Sequence, residues 1–186
     1  ISPSKREIAL EFDKYEKFIA SLAASFDLKN KAIESKSAIE LMIIIANQID
    51  AYLRIAIVLK KQLQEKTNRI DILLLFQGET DTPIMERKIY KQAKQLGIIS
   101  ADIFDKLEKL YSERNKVVHR YIISEFKTVY LYKIVYEYET VCENVRQSLK
   151  VIEEKQFKEG IGIHGNGRHP DEDPTQQNIN MLFSQV

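Results

Sequence analysis

A chain of 186 residues is long enough for one well-buried domain and too short for two comfortable ones. Its 44% hydrophobic and 30% charged residues, with only six Gly and four Pro, describe a helix-rich globular protein. A formal net charge of +1 gives no argument for wholesale polyanion binding, so any nucleic-acid contact has to come from a local patch.

The first helical segment is expected over roughly Lys5 to Phe26, with Ser4 as its N-cap. Ile8, Phe12, Tyr15, Ile19, Leu22 and Phe26 alternate four- and three-residue steps along one face. Ile1-Ser2-Pro3-Ser4-Lys5 carries no secretory signal, and the single cysteine, Cys142, allows neither an intrachain disulfide nor a thiolate metal cluster. Both point to a cytoplasmic protein with no membrane partner, and Cys142 reads as a packing residue.

The second segment runs from about Lys31 past Leu59, toward Gln64. Asn47, Gln48, Asp50 and Arg54 interrupt its apolar stretch Leu41 to Leu59, so it reads as the central helix of a bundle rather than a membrane span. Between Asn68 and Thr82 the pattern blurs. Ile70 to Phe76 fits a helix or a buried strand, and Gln77 to Asp81 reads as a loop.

Thr82-Pro83 predicts the start of a third helix, which Gly97 ends. Ser100 and Asp102 open a fourth, with Ile103, Leu107, Leu110, Val117 and Tyr121 on its inner stripe. A fifth is expected from near Ser124 to Phe157, through Leu131, Val135, Tyr138, Cys142, Val145, Leu149 and Ile152. The fold class is therefore all-α, an up-and-down bundle of about five helices over residues 1–158.

Residues 159–186 form a Gly/Pro-rich tail with four of the six glycines. It is expected to be flexible apart from anchoring through Met181, Leu182 and Phe183. His164 and His169 are too weak a pair to predict a metal, and the helical body has no metal-ligand spacing. The Gly160-x-Gly162 and Gly165-x-Gly167 pairs neither follow a strand nor open a helix, so no nucleotide loop and no cofactor are expected.

The fourth helix carries the chemistry. Position 114 of its apolar stripe is Arg, and a guanidinium facing a packed interior is costly unless it is paired or lines a cleft. Asn115 and His119 share a second, more polar face with Ser112 and Glu108. Arg114 and His119 are about 140° apart on a straight helix. A kink near Val118 would make them converge, and so would a two-fold dimer placing two helix ends around one cleft.

The trio suits cleavage of RNA by its own 2′-hydroxyl. Imidazole exchanges protons near neutral pH, Arg offers a permanent cationic fork to the phosphate, and Asn115 can orient either. No metal is required. Lys116 and Arg120 flank the motif as candidate RNA contacts. The basic run Arg87, Lys88, Lys91 and Lys94 reads first as a solvated helix face and second as a phosphate-steering strip.

Arg114-Asn115-Lys116-Val117-Val118-His119-Arg120-Tyr121 resembles the R-N-x-x-x-H-x-Y signature of HEPN domains, specifically the HepT-like toxins paired with minimal nucleotidyltransferases. Leu96-Gly97-Ile98-Ile99-Ser100 is similar to the turn before the family's motif helix, Val129-Tyr130 to the start of its last helix, and Ala38-Ile39-Glu40-Leu41 to its second. The likeness covers roughly residues 28–152. The resemblance implies a homodimer, a metal-independent endoribonuclease with Arg114 and His119 as its catalytic pair, and Tyr121 as acceptor of adenylyl groups from a nucleotidyltransferase-type antitoxin. The family's second helix often carries an acidic residue near position 44; here that position is Ile44, and Asn47 and Asp50 are the nearest polar residues. The alternative expectation is a non-catalytic HEPN-like bundle serving as an interaction or nucleotide-binding module.

Overall fold

A computed structural model describes residues 5–78 and 81–165. Among them there are helices and no strands: α1 (Lys5–Glu34), α2 (Ala38–Glu65), α3 (Ile72–Leu75), α4 (Glu86–Gln95), α5 (Ala101–Arg120) and α6 (Thr128–Glu159). The all-α expectation holds, with one short helix more than the periodicity implied. Ser4 and the Met181-Leu182-Phe183 segment lie outside the described residues.

α2 is the axis of the bundle, touching every other helix and packing most extensively on α6. Its residues Met42, Ile45, Ile49, Leu53, Ile57 and Leu59 are fully enclosed, because α1, α4 and α6 leave none of these faces to water. By length and composition α2 could cross a membrane, and 67% of its most apolar stretch is buried inside the bundle. Cys142 packs into the same core, where burial pushes its thiol up to about 12.

Four helix boundaries differ from the sequence expectation: α2 begins at Ala38 rather than about Lys31, which belongs to α1, and three others shift for local reasons. α1 continues past Phe26 to Glu34, since Ala32 is buried and Lys29 pairs with Glu139 of α6 at 2.7 Å. The chain then reverses at Lys36, in the left-handed region with φ 55°. α4 starts at Glu86 rather than at Pro83. The Ile84 carbonyl is turned into the bundle to accept Arg54 Nη2 at 2.9 Å, and the Ile84 amide donates to Gln77 Oε1 at 3.2 Å, so this stretch stays extended. α6 begins at Thr128 rather than near Ser124, after a turn in which Phe126 stacks on Tyr130 with ring centroids 5.8 Å apart.

The ambiguous 70–76 run contains α3, a single helical turn held by a largely buried side chain. Arg54 donates to Asp50 Oδ2 at 2.6 Å, to the Leu74 carbonyl at 2.8 Å and to the Ile84 carbonyl. One guanidinium thus ties α3 and the stretch just before α4 to α2.

Two turns further on, at the C-terminal end of α2, a second polar knot forms. Gln156 Nε2 donates to the Leu59 carbonyl and to Gln62 Oε1, while the amides of Gly162, Ile163 and His164 donate to Asn68, Gln62 and Gln156. A Cβ on Gly162, where φ is +79°, would lie 2.1 Å from Gln156 Nε2, so glycine is required there for packing. The start of the tail, through Gly165, is therefore built into the bundle, with Ile163 and His164 buried. His164 lies against Glu153, its Nε2 3.8 Å from Oε1.

Arg54→Ala is expected to cost about 3–5 kcal/mol of unfolding free energy in urea, because it strands Asp50 and two inward carbonyls. Amide exchange should accelerate first over residues 70–86. A loss below about 1 kcal/mol, with unchanged exchange in that segment, would contradict its role as the tie.

Candidate active site

α5 opens at Ser100, whose hydroxyl accepts the Ile103 amide at 3.3 Å, and runs without interruption to Arg120. Leu107, Leu110 and Val117 lock its inner stripe into the core. α4 lies antiparallel to it: Glu86 meets Arg114 at one end, and Lys94 sits 4.3 Å over the Phe104 ring at the other. The carboxylate that faces Arg114 is thus the first residue of α4, set there by the extended 82–85 segment.

Arg114 and Glu86 form a two-pronged pair. Nη1 donates to Oε1 at 3.1 Å and Nη2 to Oε2 at 2.9 Å, with the side chains only 14% and 19% exposed. Tyr90, one turn further along α4, donates its hydroxyl to Glu86 Oε1, and the guanidinium lies 5.0 Å from the Tyr111 ring centroid. Arg114 Nη2 also reaches Asn115 Oδ1, at 3.4 Å. Burial alone would lower the pKa of Arg114, but the hydrogen bonds and charge of Glu86 outweigh it and the net shift is upward.

Beneath this pair lie Asp50 of α2 and Tyr138 of α6. Burial raises the Asp50 pKa against the opposing charge of Arg54, and Glu86 raises it further. Asp50 Oδ1 and the Tyr138 hydroxyl are both buried without a hydrogen-bond partner. Burial also drives the Tyr90 and Tyr138 hydroxyls upward, so both stay protonated. Four helices therefore meet around one polar cluster. The acidic member on the second helix is Asp50, six residues beyond Ile44.

The remaining motif residues occupy the outside. His119, Lys116 and Arg120 are exposed, and their side chains form no hydrogen bond or ion pair among the described residues. Tyr121 caps the helix, still with helical backbone angles, and is 44% exposed. α5 is continuous α-helix through Val118, so Arg114 and His119, five residues apart, lie about 140° apart around it. Within one chain the structure brings together Arg114 and Asn115 but not His119.

An apolar surface adjoins this helix end. Val118, Tyr121, Ile122, Ile123, Val129 and Tyr136 are all exposed, Ile122 at 95% and Ile123 at 81%. The basic run on α4 is partly spoken for, since Arg87 pairs with Glu108 and lies 5.6 Å from the Tyr111 ring. Among the described residues no group of acidic, His or Cys side chains could hold a metal ion. A cavity of about 260 Å³ between α1 and α2 is lined by Phe18, Asn47, Gln48 and Ala51 among others, and by no motif residue.

Glu86 and Tyr90 escaped the sequence reading because a helix starting at Pro83 places Glu86 inside an ordinary acidic first turn. The available signal was their spacing of four, with the carboxylate one turn before a tyrosine. Compared with known proteins, the chain matches no family model, no curated protein and no solved structure.

The raised Asp50 pKa has a definite sign. An acid favoured neutral in the fold stabilises most below its ordinary value of 3.8, and that contribution is lost as pH rises through its folded pKa. Relative to Asp50→Asn, the wild type should gain unfolding free energy as pH falls from neutral toward that value. A difference that is flat, or that grows with pH, would refute this environment for Asp50.

Proposed function

We propose that the chain is a metal-independent endoribonuclease of the HEPN toxin type, acting as a cytoplasmic homodimer. The observation that carries this reading is the place of the motif. His119, Lys116 and Arg120 stand free in solvent at a helix end bordered by exposed apolar side chains, Ile122 and Ile123 foremost. A catalytic imidazole needs such access, and exposed isoleucines at a turn are a surface that a second copy would cover. With α5 straight, a two-fold pairing across this turn is the arrangement that brings an Arg114 and a His119 to one cleft.

In that cleft, neutral His119 takes the proton of the ribose 2′-hydroxyl as the oxygen attacks phosphorus. The P–O5′ bond breaks, and the leaving 5′-oxygen takes a proton from protonated imidazole. The products are a 2′,3′-cyclic phosphate and a 5′-hydroxyl. Arg114 offsets charge on the phosphate oxygens, Asn115 orients it through Nη2, and Lys116 and Arg120 steer the backbone. The exposed Tyr121 hydroxyl is the acceptor on which a nucleotidyltransferase-type antitoxin would place adenylyl groups, blocking the same cleft.

One observation favours a second reading. Arg114 is already matched by Glu86, as in a bundle where the pair serves packing and the surface binds a partner protein or nucleotide.

Purified protein should cut single-stranded RNA in excess EDTA and leave DNA intact. His119→Ala and Arg114→Ala should each lower the rate by about 10² or more, and Tyr121→Phe should leave it largely unchanged. Ile122→Asp should convert a dimer to a monomer in sedimentation and abolish cutting. Equal cutting by wild type and His119→Ala identifies a contaminant. Absence of cleavage by the wild type, alone and in cells, selects the interaction module.

A further inference from the structure

We propose that Glu86 is a built-in competitor for the phosphate: its carboxylate occupies the face of Arg114 that an RNA phosphate must take, so Arg114 binds substrate only by exchanging one anion for another. The assignment rests on the reading of Arg114 as the phosphate-facing cation.

The geometry supports it in three ways. Carboxylate and phosphate present the same two-oxygen edge to a guanidinium, and both terminal nitrogens of Arg114 are engaged by Glu86 at 3.1 and 2.9 Å. The carboxylate is itself held, because Tyr90 donates to Oε1 and the α4 start is fixed by Arg54 at the Ile84 carbonyl. The pair is neither sealed nor fully open, with 14% and 19% of the two side chains exposed, so an anion can approach its outer edge.

When a phosphate displaces Glu86 it takes over the compensation of Arg114 itself, so the exchange leaves the guanidinium matched throughout. Glu86 thereby lowers the ground-state affinity of the site for any polyanion and leaves Arg114 available to the charge that develops at a correctly placed phosphate.

The test uses a single-stranded RNA carrying 2′-O-methyl riboses, which lacks the attacking hydroxyl, bound to the full chain with fluorescence anisotropy as readout. Glu86→Gln keeps the Tyr90 contact and one acceptor for Arg114 while removing the competing charge. It should bind this RNA about tenfold more tightly. Its salt dependence should steepen by about one phosphate, a slope change of about 0.7. In an Arg114→Ala background the same substitution should give no gain. A merely structural Glu86 would move neither affinity nor salt slope.

If Glu86→Gln does not fold by circular dichroism, Glu86→Asp serves in its place, since one methylene less draws the carboxylate back from the guanidinium. A folded variant with wild-type affinity and slope overturns the proposal, and so does a gain that persists without Arg114. Cleavage of unmodified RNA is followed in parallel. An affinity gain with no cleavage by any protein defeats the ribonuclease reading and leaves the competitor assignment standing. Cleavage by wild type with no affinity change does the reverse.

Discussion

A guanidinium placed on the inner stripe of a helix has to be matched by an anion, and in this bundle a partly buried one, Glu86, supplies the match where four helices meet. Leaving either partner of such a pair uncompensated costs about 3–5 kcal/mol, a large part of what a domain of this size has to spare. Glu86 meets Arg114 only if α4 starts where it does. α4 starts there because Arg54 has drawn the Ile84 carbonyl into α2. Asp50 in turn holds Arg54. Two ion pairs thus run in series from the central helix to the motif helix, and the position of Arg114 is a consequence of both.

The apolar periodicity made most of this bundle legible. Leu107, Leu110 and Val117 face inward as their spacing required, Ser100 caps α5, and Gly97 closes the preceding turn. The illegible parts are those where a long-range polar contact overrides local preference. Thr82-Pro83 is a sound helix start by local rules, yet a carbonyl two residues later is claimed by a side chain thirty positions upstream. Gly162 fell within the Gly/Pro-rich tail, and its need for glycine appears only against Gln156 across the bundle. Arg114 was conspicuous as a charge on an apolar stripe. Its partner was not, because Glu86 on an exposed-looking first turn has nothing unusual about it.

The candidate site has two halves with different physics. Arg114, Asn115, Glu86, Tyr90, Asp50 and Tyr138 form an enclosed, preorganised cluster in which charges are matched and hydroxyls are held protonated. His119, Lys116, Arg120 and Tyr121 form an open rim beside uncovered isoleucines. On the ribonuclease proposal, proton transfer at the rim and charge stabilisation in the cluster would belong to one reaction only if a second copy closed the distance between them. That division explains how one helix can serve both the core and the surface, and why its straightness matters more than the motif spacing alone suggests.

The claim beneath all of this is that Glu86 and Arg114 act as one unit. A double-mutant cycle of Glu86→Gln and Arg114→Met, read as unfolding free energies in urea, tests it most directly. Each single variant leaves a half-buried group without its match, and the double variant removes both, so the two losses should fail to add by about 2 kcal/mol. Losses that add to within about 0.5 kcal/mol would contradict the pairing, and with it the placement of α4 against the motif helix.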